Sequence, residues 1–231
     1  VGLKADLESE VGTIFRSRWT ERDGTVVPDD TSVTLGNDAV KLTATVLYAD
    51  LADSTEMVDS KLPAYSAEVY KTFLHCGAKI IKSERGAVSA YDGDRVMAVF
   101  IGKSKNTSAV RAAMKLRYAV NEIINPAKDK QYASAAEEPV KFVVGIDTSS
   151  LFIAKTGVRG ANDLVWVGRA ANYAAKLSAL PSTYVYITKE IFGNMHESVK
   201  TTEGRAMWEA VRWDSFDDRV IYRSNWWWPF S

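Results

Sequence analysis

Apolar and polar positions along this chain fall into runs that predict most of its elements. Near the start, Leu3, Leu7, Val11 and Phe15 recur every four residues and draw one stripe along a helix over residues 3–18, an arm that either covers the core or faces a partner. Residues 21–38 break the pattern with Asp, Thr, Gly and Pro and read as a loop. The chain therefore divides into a helical arm and loop at 1–38 and a main domain at 39–231. In that domain, alternation predicts a strand at 42–49, and helical spacing predicts a helix at 63–83. A hairpin follows at 87–91 and 95–101, then an amphipathic helix at 104–124 that turns Val110, Met114, Leu116 and Val120 inward. Residues 125–138 are polar and rich in Ala and Lys, a loop or a frayed helix end. A buried strand at 140–147 pairs with 150–154. A strand at 164–167 leads through Gly168 into a helix at 170–180, which Pro181 ends. A strand at 183–188 and a closing hairpin within 203–223 complete the pattern. The order describes an α+β fold, an α/β sandwich with helices packed on a mainly antiparallel sheet.

Composition narrows the functional classes. The 231 residues are 46% hydrophobic, enough for one substantial core, and Lys+Arg equals Asp+Glu at 29 each. No overall field favours nucleic acid or an anionic membrane, so a bound phosphate must be held locally. The absence of an 18-residue apolar run and of a signal-peptide pattern points to a soluble, cytoplasmic protein. Cys76 is the single cysteine, and His75 and His196 are too few to complete a zinc set; these residues read as structural.

Two segments carry candidate chemistry. Val46 and Tyr48 lie on an apolar strand that ends in Asp50, and Asp53-Ser54-Thr55 can cap a following helix whose free N–H groups suit phosphates. The second is a hairpin with Asp92-Gly93 as its turn and Asp94 opening the returning strand. If those strands are neighbours, Asp50 and Asp94 converge, and paired carboxylates favour hard divalent cations such as Mg²⁺ or Mn²⁺.

A third segment, Val165-Trp166-Val167-Gly168-Arg169-Ala170-Ala171-Asn172-Tyr173-Ala174-Ala175-Lys176, completes an ordered set that resembles the class III nucleotide cyclase catalytic domain. The likeness covers about 42–223 and implies a ferredoxin-like βαββαβ core and a head-to-tail homodimer with shared active sites. It implies that Asp50, Asp94 and the backbone carbonyl of Leu51 hold two divalent ions per site. The segment Ala52, Asp53, Ser54 and Thr55 would bind the triphosphate. Asn172 and Lys176, one helical turn apart, would reach in from the other subunit to orient the ribose and to stabilise charge on the α-phosphate.

The chain departs from the family in three places. Lys176 stands where Arg is usual, which keeps the charge but loses the bidentate fork. Family members often carry a triphosphate-gripping basic residue in the closing hairpin, and Trp213-Asp214-Ser215-Phe216-Asp217-Asp218 has no Lys there. The positions at which purine cyclases read the base are Ala90 and Val165, neither of which hydrogen-bonds through its side chain. With Tyr48 beside Asp50 and Arg95 beside Asp94, these losses resemble the pyrimidine cyclases of bacterial Pycsar anti-phage systems. That likeness implies conversion of UTP to cyclic UMP and pyrophosphate, with a separate effector reading the product. Arg95 suits the carbonyl oxygens of uracil. The alternatives are CTP, a purine read in an unusual way, and a module that binds nucleotide without turnover.

Overall fold

Helices and strands share the structure, a computed structural model that describes residues 2–135, 137–181 and 183–230. In chain order the elements are α1 (Leu3–Arg16), β1 (Thr20–Asp23), β2 (Asp38–Leu51), α2 (Ser54–Ser60), α3 (Pro63–Ser83), β3 (Ala87–Asp92), β4 (Arg95–Phe100) and α4 (Lys105–Ala119). There follow α5 (Asn125–Gln131), β5 (Phe142–Val158), β6 (Ala161–Val167), α6 (Arg169–Ser178), β7 (Val185–Thr188) and α7 (Lys189–Asn194). The two-residue strands β8 (Thr201–Thr202) and β9 (Arg205–Ala206) precede β10 (Glu209–Trp213) and β11 (Arg219–Ser224). Among the described residues, no helix is long and apolar enough to cross a membrane.

The chain forms two compact units. The first comprises residues 1–43 and 150–168. Here α1 buries none of its residues, and Leu3, Leu7, Val11 and Phe15 stand exposed, so the stripe does not cover this unit's core. The expected loop at 21–38 is corrected at its start: β1 pairs in parallel with the first residues of β2, Thr20 opposite Asp38 through Asp23 opposite Lys41. An Arg22–Asp38 ion pair at 2.5 Å fixes that register. The alternation in β1 is absent because all four of its residues are exposed, which hid the strand from a pattern of buried positions. The end of β5 pairs with β6 as an antiparallel hairpin, Phe152 opposite Val167 through Val158 opposite Ala161. The expected pairing of 150–154 with 140–147 is thereby corrected, since both lie on the one 17-residue strand β5.

The second unit comprises residues 44–149 and 169–231. The sheet runs in the order β10-β11-β7-β5-β2-β4-β3. Its β5–β7 pairing is parallel, and β10–β11, β11–β7, β2–β4 and β3–β4 are antiparallel, as the pattern predicts. Period-two alternation divides the core between its faces. Leu47, Ala49, Val144, Ile146 and Ile187 pack with Phe73, Ile81 and Met114 of α3 and α4. Val143 and Tyr186 face the other way, onto Leu177 of α6, with Trp213 and Ile221. Gly145 lies on that second face, where a Cβ would stand 2.1 Å from the Ala174 carbonyl oxygen and 2.6 Å from the Ser178 nitrogen. Only glycine lets α6 lie this close to β5.

Residues 125–138 hold more structure than expected. A π-turn at Val120–Ile124 leads into α5, with Pro126 in its first turn where the missing N–H costs little. Lys128 is buried, and its ammonium donates to the carbonyls of Ala135 and Glu138 at 2.7 and 2.5 Å. The Trp-rich end folds back on α4: the Trp228 N–H donates to the Met114 carbonyl at 3.2 Å, and Tyr118 meets Trp227 and Phe230 edge-on or tilted.

Candidate active site

Pairing of β2 with β4 sets Asp50 opposite Arg95, so the end of one strand adjoins the hairpin turn of the other. Gly93 takes φ +60°, and the residues paired across the turn are Asp92 and Arg95. The turn is therefore Gly93-Asp94, with glycine at the left-handed first position as a II′ hairpin wants. This corrects the expected Asp92-Gly93 turn: Asp94 sits in the turn, and the strand opens at Arg95.

The two carboxylates are brought together. Burial, and then the negative charge of Asp94, push the Asp50 carboxyl up to about 6. The Oδ2 of Asp94 is buried and has no hydrogen-bond partner. Arg95 donates to Asp92 at 2.7 Å, stands 4.0 Å from Asp50, and lies 5.5 Å from the centroid of the Tyr48 ring. Its buried Nε has no partner. Tyr48 donates its hydroxyl to the Met97 sulfur at 3.0 Å, and burial pushes its phenol up.

Beyond Asp50 the chain turns sharply. Leu51 is buried in the core, the Ala52 N–H donates to the Lys141 carbonyl at 2.9 Å, and Asp53 adopts φ +60°. Asp53 occupies the N-cap position of α2, with Ser54 and Thr55 in the first turn. The expected side-chain cap is corrected, because the left-handed backbone turns its carboxylate to the Lys141 ammonium at 3.3 Å.

Asn172 and Lys176 are both exposed on α6, one turn apart. Among the described residues no hydrogen bond or ion pair joins either to Asp50 or Asp94. The Lys176 ammonium instead lies 4.4 Å from the centroid of the Phe216 ring. Ala90 is half-buried on β3 and Val165 is exposed on β6.

Sequence reasoning missed what anchors α6. Its first residue, Arg169, grips the fully buried carboxylate of Asp147 at 3.0 and 3.3 Å, donates to the Thr148 carbonyl at 2.8 Å, and pairs with Glu190 at 2.8 Å. Thr188 donates to Asp147 at 2.6 Å, and the Ser149 hydroxyl accepts from the Ala170 N–H at 2.9 Å. Asp147 ended a predicted buried strand and Arg169 followed the motif glycine; a buried carboxylate 22 residues from an unassigned Arg was the available signal.

The acidic pair fits a hard divalent cation. One carboxyl holds its proton unusually tightly and the other has an unsatisfied buried oxygen, and a cation relieves both. No third His, Cys, Asp or Glu joins them among the described residues. Backbone carbonyl, water and phosphate oxygens would fill the remaining positions, as in most magnesium sites. Burial pushes the Cys76 thiol up, and His196 caps a short turn by accepting from the Ser198 N–H at 3.1 Å.

A protein of Xanthomonas perforans named uridylate cyclase is 56% identical to this chain over 229 residues, covering 99% of each. The chain belongs to the uridylate cyclase family. Uridylate cyclases of Burkholderia cepacia and of Rhodovulum sp. (strain MB263) are 46% and 35% identical, again over nearly the whole of both chains (99% and 98%). No family model matches. Among solved structures, a guanylyl cyclase aligns with TM-score 0.65 at 16% identity over 80% of this chain and 91% of its own. The adenylyl cyclase CyaB from P. aeruginosa aligns with TM-score 0.65 at 19% identity over 80% and 95%. The chain is a nucleotide cyclase with the class III cyclase fold.

Proposed function

We propose that this uridylate cyclase converts UTP to 3′,5′-cyclic UMP and pyrophosphate in the bacterial cytoplasm, and that a separate effector reads the product during anti-phage defence. The observation that carries the reading is the Asp50–Asp94 pair, with its raised carboxyl and its orphaned oxygen, in a chain 56% identical to a protein named uridylate cyclase. Asp50, Asp94 and the Leu51 carbonyl would hold two Mn²⁺ or Mg²⁺ ions. Bound there, the ions lower the pKa of the ribose 3′-hydroxyl and neutralise the triphosphate.

The remaining work falls to the chain's own side chains. The 3′-oxygen loses its proton and attacks the α-phosphorus in line, while the bond to the β-phosphate oxygen breaks and pyrophosphate leaves. Asn172 orients the ribose, and the Lys176 ammonium balances charge that builds on the α-phosphate. Both belong to the partner subunit of a homodimer; among the described residues, no hydrogen bond or ion pair joins Asn172 or Lys176 to Asp50 or Asp94 within one chain. Ala52, Asp53, Ser54 and Thr55 line the triphosphate end. The Arg95 guanidinium supplies a donor for a uracil carbonyl, and the Tyr48 ring, 5.5 Å from it, fills space that a purine would need.

Incubation with ATP, GTP, CTP and UTP in turn, with Mn²⁺ and mass spectrometry of the products, is expected to give cyclic UMP as the dominant species. Cyclic CMP would keep the site and change the base, whereas a purine product would remove Tyr48 and Arg95 from base selection. No product at all would leave a nucleotide-binding module.

A mixture of Asp50→Ala and Asn172→Ala proteins, each inactive alone, is expected to regain about one working site per mixed dimer. Mixed dimers without activity would exclude sharing. Divalent binding is expected to weaken as pH falls through about 6, because below that value the ion must displace the Asp50 proton. Mn²⁺ titration by calorimetry at pH 5, 6 and 7.5 reads this; equal affinities would remove Asp50 from the metal site.

A further inference from the structure

The first departure from the family, Lys176 in place of Arg, has a structural answer in the β10–β11 loop. Arg carries a planar, pre-organised fork, whereas Lys carries a point charge on a flexible four-carbon stem. To act on one phosphate, that stem needs restraint. Among the described residues Lys176 has no hydrogen bond and no ion pair; its ammonium rests only on the face of Phe216, 4.4 Å from the ring centroid.

The ring is itself held firmly. Phe216 stacks on the buried Trp213 at 4.7 Å and 28°, and meets Tyr173 of α6 edge-on at 4.9 Å. Trp213 meets Tyr173 edge-on as well, at 5.6 Å. The loop turns through the Phe216 N–H donating to the Trp213 carbonyl at 2.9 Å, then through left-handed Asp217 and Asp218, φ +56° and +49°. Aspartate tolerates that backbone better than most residues. Arg219 shares the cluster: it donates to the Tyr173 hydroxyl at 2.5 Å, lies 5.2 Å from the Phe216 centroid, and is paired with Asp217 at 3.6 Å.

We infer that Phe216 is a positioning residue for Lys176, presenting an aromatic face that fixes the ammonium without neutralising it; the inference rests on the role proposed for Lys176. A carboxylate would hold the lysine equally well and would spend its charge. The ring quadrupole attracts the cation and leaves its N–H donors free for a phosphate oxygen. One aromatic ring, itself held by two others, thus does by restraint what the family's guanidinium does by geometry.

The test compares full-length Phe216→Leu, Phe216→Tyr and Lys176→Ala. Phe216→Leu keeps an apolar side chain against Trp213 and is expected to lower kcat about fivefold with KM nearly unchanged, while Phe216→Tyr restores kcat. In the metal-free protein, the Lys176 ε-CH₂ protons are expected upfield from the ring current and to return to ordinary positions in Phe216→Leu. If the Leu variant fails to fold, fluorinated phenylalanines at 216, which weaken the quadrupole at constant shape, should lower kcat stepwise. Wild-type kcat in Phe216→Leu, or no dependence on fluorination, alongside an inactive Lys176→Ala overturns the inference alone. Full activity in Lys176→Ala overturns the role assigned to Lys176 itself.

Discussion

Asp50→Asn is expected to abolish cyclase activity, by at least ~10³-fold in kcat, or about 4 kcal/mol of barrier, and also to raise the melting temperature of the metal-free protein. The two effects share one cause. Asp50 is drawn out of water beside Asp94, and its carboxyl titrates near 6 in the folded chain instead of near 3.8. A raised acid pKa means that the folded state holds the proton more tightly than the unfolded state does. The resulting cost is absent below pH 3.8, grows between 3.8 and about 6, and is complete above it. A shift of this size on a mostly buried carboxylate is on the order of 2 kcal/mol, so the amide should melt a few degrees higher at pH 7.5 and no higher at pH 3.5. Differential scanning calorimetry beside the product assay measures both. A lower melting temperature at neutral pH would contradict an electrostatic cost at this position, and retained turnover would take Asp50 out of the metal site.

Arg169→Met should have the largest effect on the fold. The substitution leaves the Asp147 carboxylate, with no exposed surface, held by the Thr188 hydroxyl and the Thr148 backbone N–H, with no cation against it. Removing one partner of a buried pair costs about 3–5 kcal/mol, because the other charge remains out of water. Asp147 already has a raised pKa, chiefly from burial, and loss of Arg169 would raise it further. The folded variant therefore gains relative stability as pH falls and Asp147 takes up a proton. Its melting temperature should be well below wild type at pH 7.5 and recover part of the gap at pH 5. The double variant Arg169→Met with Asp147→Asn should recover stability at both values. An equal deficit at the two pH values would show that Arg169 acts by packing and not by charge.

Much of this architecture can be read from the residue pattern. Asp50 and Asp94 stand out because each interrupts or follows an apolar alternation, and β2–β4 pairing then forces them together. The helix carrying Asn172 and Lys176 is legible because Gly168 precedes it and Pro181 follows. What escapes notice depends on partners distant in sequence. Strand β5 runs through Asp147, Thr148, Ser149 and Ser150 without a break, yet those polar residues read as an end, because the side chains that make a carboxylate tolerable inside, Arg169 and Thr188, lie 22 and 41 residues further on. Strand β1 shows no alternation since it buries nothing. Phe216 looks like one more aromatic of a closing hairpin until α6 sets a cation on its face.

Gly145 offers a way to sort related genomes. Any side chain there meets the Ala174 carbonyl and the Ser178 nitrogen, pushes α6 off the sheet and carries Asn172 and Lys176 with it. A homologue that keeps every residue of the acidic pair and of α6 but has lost this glycine should be counted as a silent copy, a gene whose product no longer cyclises nucleotide.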